Sequence, residues 1–209
     1  MLFRSVKNGY VQAFLGGNAV AVHDLEAAIF GTTLGMTSSG QGVEGGHALH
    51  MRAINQIRRA GGIAAAVRQG VVSSGIMHTL VTHDVPFVLA GSIRDDGPLP
   101  EVLSDTLAAQ DAMREFTAQA TFAVFVATAL HAIAVGNMLP AFVDAPSPDD
   151  LRPLTTICVD QTEFVVNKLR DRGTHQAYGA VTNAQDFMHV LRFYVERWEQ
   201  AQAPAPVLR

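Results

Sequence analysis

Short unbroken apolar runs alternate along this chain with segments whose apolar residues recur every three or four positions, the pattern of buried strands interleaved with amphipathic helices. Residues 11–16 form the first apolar run, ending in Gly16-Gly17-Asn18, and 23–30 follow as a helix with Asp24 near its start. Residues 31–46, rich in Gly, Ser and Thr, are predicted to be a loop. Across 47–59, Met51, Ala53, Ile54 and Ile57 make a helical stripe that Ala60-Gly61-Gly62 ends. Short helices over 63–69 and 74–83 lead into a strand at 86–90, then a helix over 101–117. Strands are predicted at 122–127 and 155–159, the latter closed by Asp160. A helix over 162–170 with Gly173 as its C-cap precedes a last strand at 177–181. The final helix carries Phe187, Leu191, Tyr194 and Trp198 on one face, and residues 201–209, AQAPAPVLR, are expected to be a disordered tail.

Strands that alternate with helices imply a parallel sheet with helices on both faces, an α/β domain of Rossmann-like type, here taken as one domain over 1–200. In that architecture ligands bind beyond the C-terminal ends of strands, so polar residues between an apolar run and the next helix are the first candidates. GNAVAVHD at 17–24, VLAGSIRDDGPLP at 88–100 and HAIAVGNMLP at 131–140 meet that description. Gly40-Gln41-Gly42-Val43-Glu44-Gly45 fits G-x-G-x-x-G, yet 32–39 before it is not an apolar strand, so the dinucleotide fingerprint lacks its context. Asp160 is the better nucleotide signal: an acid ending a buried strand can accept both ribose hydroxyls, although it can equally cap the helix that follows.

Composition narrows the alternatives. The 209 residues are 48% hydrophobic and 16% charged with a net charge of −4, and no block of Lys or Arg appears, which argues against a nucleic-acid partner. The single Cys158 lies in an apolar run and reads as a buried residue of a reducing compartment. The N-terminus has no secretory signal, so the cytoplasm is the expected location. Residues 120–143 are long and apolar enough to raise a membrane span, but His131, Asn137 and Pro140 interrupt them and no basic cluster flanks them; no membrane association is expected.

Taken together, GNAVAVHDLEAAIFGTTLG, RAINQIRRAGGIAAAV, VLAGSIRDDGPLPEV, AQDAMRE and LHAIAVGNMLP resemble the archaeal-type ornithine cyclodeaminase family, also described as the LOR/SDH conserved region. The same segments resemble the C-terminal half of bifunctional arginine dihydrolase/ornithine cyclodeaminase enzymes. The resemblance implies an NAD-binding domain related to the deoxyhypusine synthase fold, with a first strand and a glycine-containing loop that relatives place before the start of this chain expected to be missing. It implies conversion of ornithine to proline and ammonia by transient hydride transfer to NAD. Carried over by segment, it implies cofactor contacts at Asn18, Ala19, Asp96, Gly136, Asn137, Met138, Leu139, Asp160, Gln161, Thr182 and Asn183. Where relatives tend to read CVDINP and VTDV, this chain has CVDQTE and VTNA, so Asn183 stands in place of an acid.

Such chemistry needs a carboxylate to relay protons among amines, for which Asp95 and Asp96 are candidates, and Arg94 can clamp a substrate carboxylate or pair with those two aspartates. His47 and His50 could share a helix face, but no third ligand has fitting spacing, and no metal is expected. His23 and His131 fall in segments expected to border the cofactor. Asp111 is expected to be buried. Two classes of function stay open: an NAD-dependent cyclodeaminase or a related amino-acid dehydrogenase of lysine or saccharopine type, and a truncated or non-catalytic NAD-binding and oligomerisation module. Apolar helices beyond what one small sheet covers imply a homodimer or homotetramer.

Overall fold

The computed structural model describes residues 2–144, 151–172 and 177–202. It divides into two compact units, residues 2–117 and residues from Ala118 onward, where the sequence treats 1–200 as one domain. The division has a physical basis, because each unit closes its own three-stranded parallel sheet and the contiguous apolar cluster of the first lies wholly within it.

In the first unit, α1 (Leu2–Lys7) precedes β1 (Phe14–Gly17), which pairs in parallel with β4 (Phe87–Ala90), Phe14 opposite Phe87 and Gly17 opposite Ala90. Between them run α2 (Asn18–Phe30), the short antiparallel pair β2 (Thr32–Thr33) and β3 (Met36–Thr37), then α3 (His47–Ala60), α4 (Ile63–Arg68) and α5 (Gly75–Thr82). β5 (Val102–Leu103) extends the sheet beside β4, and α6 (Thr106–Thr117) lies against β4 and β5. Leu25, Ile54, Ile57, Ile63, Met77 and Leu80 are wholly buried, each contributing roughly 1.5–3 kcal/mol relative to exposure. The stripe that identified α3 is the face it buries.

In the second unit, β6 (Phe122–Val126), β9 (Thr155–Asp160) and β10 (Ala177–Val181) form a parallel sheet with β9 at its centre. α7 (Leu130–Gly136) and the antiparallel pair β7 (Phe142–Asp144) and β8 (Leu151–Pro153) connect β6 to β9. α8 (Glu163–Arg172) joins β9 to β10 and packs on both, and α9 (Ala184–Gln202) packs on β9. Central position explains why no residue of β9 is exposed, with Thr156, Cys158 and Val159 buried. Among the described residues no helix is long and apolar enough to cross a membrane: 120–143 divides into β6, α7 and β7.

Several boundaries differ from expectation for local reasons. The helix predicted from Glu101 begins at Thr106, because Val102 and Leu103 pair with Leu89 and Ala90 and Asp105 accepts the Ala108 N–H as a new cap. The helix expected from His23 is α2, which starts at Asn18, directly after β1. Residues 201–202 close α9 instead of opening a tail, and 203–209, like the expected cap at Gly173, lie outside the described residues.

Candidate functional site

Each parallel sheet presents polar residues at or just beyond its C-terminal strand ends, and the sequence candidates fall there except Gly136, Asn137, Met138 and Leu139, which close α7. In the second unit these are Asp160 at the end of β9 and Thr182 and Asn183 after β10, with Gln161 beside Asp160. Asp160 Oδ1 accepts the Thr162 N–H and hydroxyl, both at 2.9 Å, which turns the chain from β9 into α8. Its backbone carbonyl accepts the Thr182 N–H at 2.9 Å and locks the two strand ends together. Oδ2 of Asp160 accepts no bond among the described residues, so the capping role and a free acceptor coexist in one side chain. Asn183 is exposed and caps α9, its Oδ1 accepting the Gln185 N–H at 2.8 Å. An uncharged amide suffices for that role, which accounts locally for the residue found there.

Gly136, Asn137, Met138 and Leu139 sit at the other end of their helix from a phosphate site. The N–H groups of Asn137, Met138 and Leu139 all bond to carbonyls of α7, at Ile133 and Val135, and this is the negative end of the helix dipole. Asn137 itself is exposed.

In the first unit the strand ends carry Asn18 and Ala19 after β1 and the 91–100 loop after β4. Asn18 is 2% exposed, and its Oδ1 accepts the Leu99 N–H at 3.0 Å, so the side chain ties the loop to the start of α2; Ala19 is exposed. Asp95 closes its own turn, accepting the Ser92 N–H through Oδ2 at 2.7 Å while its N–H reaches the Ser92 carbonyl. Asp96 and Arg94 are exposed, and Arg94 enters none of the ion pairs found among the described residues. Ile93, between them and β4, is fully exposed. Asp111, expected to be buried, is exposed and pairs with Arg114 at 2.7 Å.

Two acids on α2 are engaged in ways no local pattern announced. Asp24 accepts the N–H groups of Ile76 and Met77, each at 2.8 Å, and so caps α5 from another helix. Burial pushes its carboxyl above the ordinary value, against the pull of those two amides and His78. Glu26 is fully buried and accepts Thr32 Oγ1, the Leu34 N–H and the Gly35 N–H at 2.8, 3.1 and 2.9 Å. Burial raises its pKa, but those donors and His50 outweigh it and leave it below the usual carboxylate range.

His50 Nδ1 lies 3.5 Å from Glu26 Oε2, and the His23 and His50 rings stand 5.4 Å apart. His47 and His50, which by spacing could share a helix face, point to different surroundings: His47 is exposed and His50 turns inward to α2. What brings α3 to the hairpin is a glycine–glycine contact, since a Cβ on Gly35 would stand 2.4 Å from the Gly46 carbonyl carbon. Burial, then neighbouring His50, hold the His23 pKa below its ordinary value, with Glu26 opposing. Open surface depressions lie elsewhere, one lined by Phe164, Asn167, Lys168 and Asp171 on α8 and one near Pro86, before β4.

Helix-linked parallel strands with an acid ending the central one define an α/β domain of the Rossmann type. The chain belongs to the family described as "Arginine dihydrolase ArgZ-like, C-terminal, Rossmann fold", which matches residues 1–191. It is 46% identical over 200 residues to an ornithine cyclodeaminase of Methanocaldococcus jannaschii, covering 95% of this chain and 45% of that protein. It is 44% identical over 191 residues to the bifunctional arginine dihydrolase/ornithine cyclodeaminase AgrE of Nostoc sp., covering 91% of this chain and 26% of that one. The crystal structure of the ternary complex of AgrE with ornithine and NAD+ matches with a TM-score of 0.85 and 42% identity, over 96% of this chain and 28% of that one. The chain thus spans less than half the length of the curated relatives it matches.

Proposed function

We propose that this chain binds NAD and takes part in converting ornithine to proline and ammonia. The observation that carries the reading is Asp160: an acid at the end of the central strand that spends one oxygen on its own turn and keeps the other free, as recognition of a ribose hydroxyl pair requires. Gln161, Thr182 and Asn183 flank it and complete the ribose side. Asn137 offers an exposed amide for a further contact; because the neighbouring N–H groups are already bonded, Gly136, Met138 and Leu139 serve through carbonyls and van der Waals contact rather than as phosphate donors. Asn18 and Ala19 shape the end of β1, Asn18 through its hold on the 91–100 loop.

NAD, when bound, supplies a reversible acceptor for the two electrons of amine oxidation. The chain's own task is to hold the substrate and move protons. On the loop after β4, Arg94 is exposed and free to clamp a carboxylate in a bidentate pair. Asp96 is the better relay of the two aspartates, since Asp95 is committed to Ser92. The same reading includes a homodimer or homotetramer in the cytoplasm. Support for assembly is the apolar surface that α8, β10 and α9 leave open, where Phe164, Tyr178, Tyr194 and Trp198 are all more than 60% exposed.

The test is calorimetric titration with NAD+, followed by incubation with ornithine and assay for proline and ammonia. NAD+ is expected to bind the chain, and Asp160→Ala to weaken it about tenfold or more, the loss of a charge-assisted pair of hydrogen bonds. Undiminished binding by Asp160→Ala would remove the basis of the reading. Product formation that survives Asp96→Asn and Arg94→Ala would remove the roles given to the β4 loop.

A further inference from the structure

We propose that His23, Glu26 and His50 form a site for one divalent transition-metal ion of the zinc class. One ligand atom from each residue lies within 4.8 Å of the other two. Glu26 Oε2 and His50 Nδ1 are 3.5 Å apart, long for a hydrogen bond. It is close to the roughly 3.4 Å that separates two donors each about 2.1 Å from a tetrahedral zinc ion. The ring nitrogens Nδ1 of His23 and His50 are both buried and have no hydrogen-bond partner among the described residues. An orphaned buried polar atom costs about 1–3 kcal/mol; His23 Nδ1 is one, and His50 Nδ1 has only the Glu26 carboxylate, at 3.5 Å. A cation that accepts nitrogen and oxygen lone pairs gives both imidazole nitrogens a partner and draws on the carboxylate that the hairpin already holds in place.

The surrounding structure is built to hold the carboxylate still. Thr32 Oγ1 and the N–H groups of Leu34 and Gly35 fix Glu26, the kind of outer hydrogen bonding that orients a metal-bound carboxylate. His23 and Glu26 are three apart on α2 and share a face, and the Gly35–Gly46 contact brings α3 and its His50 over that face. Two imidazoles and one carboxylate suit zinc, nickel or cobalt and leave a fourth position open for water, whereas magnesium and calcium prefer all-oxygen shells. The cluster lies more than one helical turn beyond Asn18 along α2, and the inference does not depend on the reading of Asp160.

The experiment uses the tag-free chain, stripped with chelator and titrated with zinc sulfate by calorimetry, with cobalt(II) as a spectroscopic probe and magnesium as control. One zinc per chain is expected, with the visible absorption of tetrahedral cobalt and no magnesium heat. His23→Asn and His50→Asn are each expected to weaken zinc by at least the 10–100-fold that loss of even an outer partner brings. Thermal unfolding, with and without zinc, shows that each variant folds and that only the unsubstituted chain gains stability from the ion. Because Glu26→Gln removes a charge the hairpin depends on, the two histidine variants decide the matter. Absence of stoichiometric zinc binding, or equal affinity in the His23→Asn/His50→Asn double variant, overturns the proposal.

Discussion

Asn18 holds Leu99: its side-chain oxygen accepts the Leu99 N–H at 3.0 Å across 81 positions of sequence. The bond joins the first residue of α2 to the loop after β4 and is buried at both ends. Asn18→Ala leaves the Leu99 N–H unsatisfied and is expected to cost about 1–3 kcal/mol. Local opening of the loop should rise with it, measured as faster amide exchange at 92–99 with little change in α3. A melting temperature and exchange pattern equal to those of the unsubstituted chain would show that the bond stabilises nothing.

Gly75 fits beneath the Asp24 carboxylate because it has no side chain. Its φ is +101°, and a Cβ there would stand 2.7 Å from both Asp24 oxygens, which are the cap for Ile76 and Met77. Gly75→Ala therefore combines backbone strain with loss of the cap, and about 2–4 kcal/mol of destabilisation is expected in urea unfolding. Asp24→Asn keeps one acceptor and should cost less than half as much. If the two losses are equal, strain at position 75 is not part of the effect.

What the sequence disclosed and what it concealed follow from range. β10 and α3 were legible because their patterns are long and self-contained: 177–181 matches the strand residue for residue, and the Met51–Ile57 stripe places α3 within one residue at its end. Two-residue strands carry no period, so β2, β3 and β5 were invisible, and Glu101 looked like the start of a helix although its carboxylate bonds the Ile63 N–H at the start of α4. Strand-end candidates were found because topology puts them there, but their partners were not, since nothing at Asp95 or Asn137 announces which local amide each will engage. The His23–Glu26–His50 cluster depends on a glycine contact between 35 and 46, and the only trace of it in sequence was the i, i+3 spacing of His23 and Glu26.

Gly179 sets how closely α8 approaches the sheet. It pairs with Cys158 in the middle of the β9–β10 ladder, and a Cβ there would stand 2.2 Å from Val166 Cγ1. Gly179→Ala is expected to destabilise by about 1–3 kcal/mol through overpacking, although alanine favours the strand backbone. Val166→Ala alone should also cost stability by opening a cavity, and the double variant should be more stable than the sum of the two losses predicts. Strict additivity in a double-mutant cycle would show that the two side chains do not meet.

Cys158 sits at the centre of β9, 1% exposed, and burial pushes its thiol from an ordinary 9.0 up to about 11. At pH 8 roughly one folded molecule in a thousand carries the thiolate, so alkylation of the native protein should be slow and should accelerate sharply in denaturant. The raised value also fixes the direction of a stability effect. The unfolded chain releases this proton near pH 9 and the folded chain only near 11, so the contribution is complete below pH 9 and is lost as the pH rises through 11. Lysines and tyrosines titrate in the same range, which makes Cys158→Ala the proper reference. Denaturation midpoints at pH 8 and pH 10.5 should fall further for the unsubstituted chain than for Cys158→Ala. Equal falls would mean that the thiol keeps the same affinity for its proton in both states.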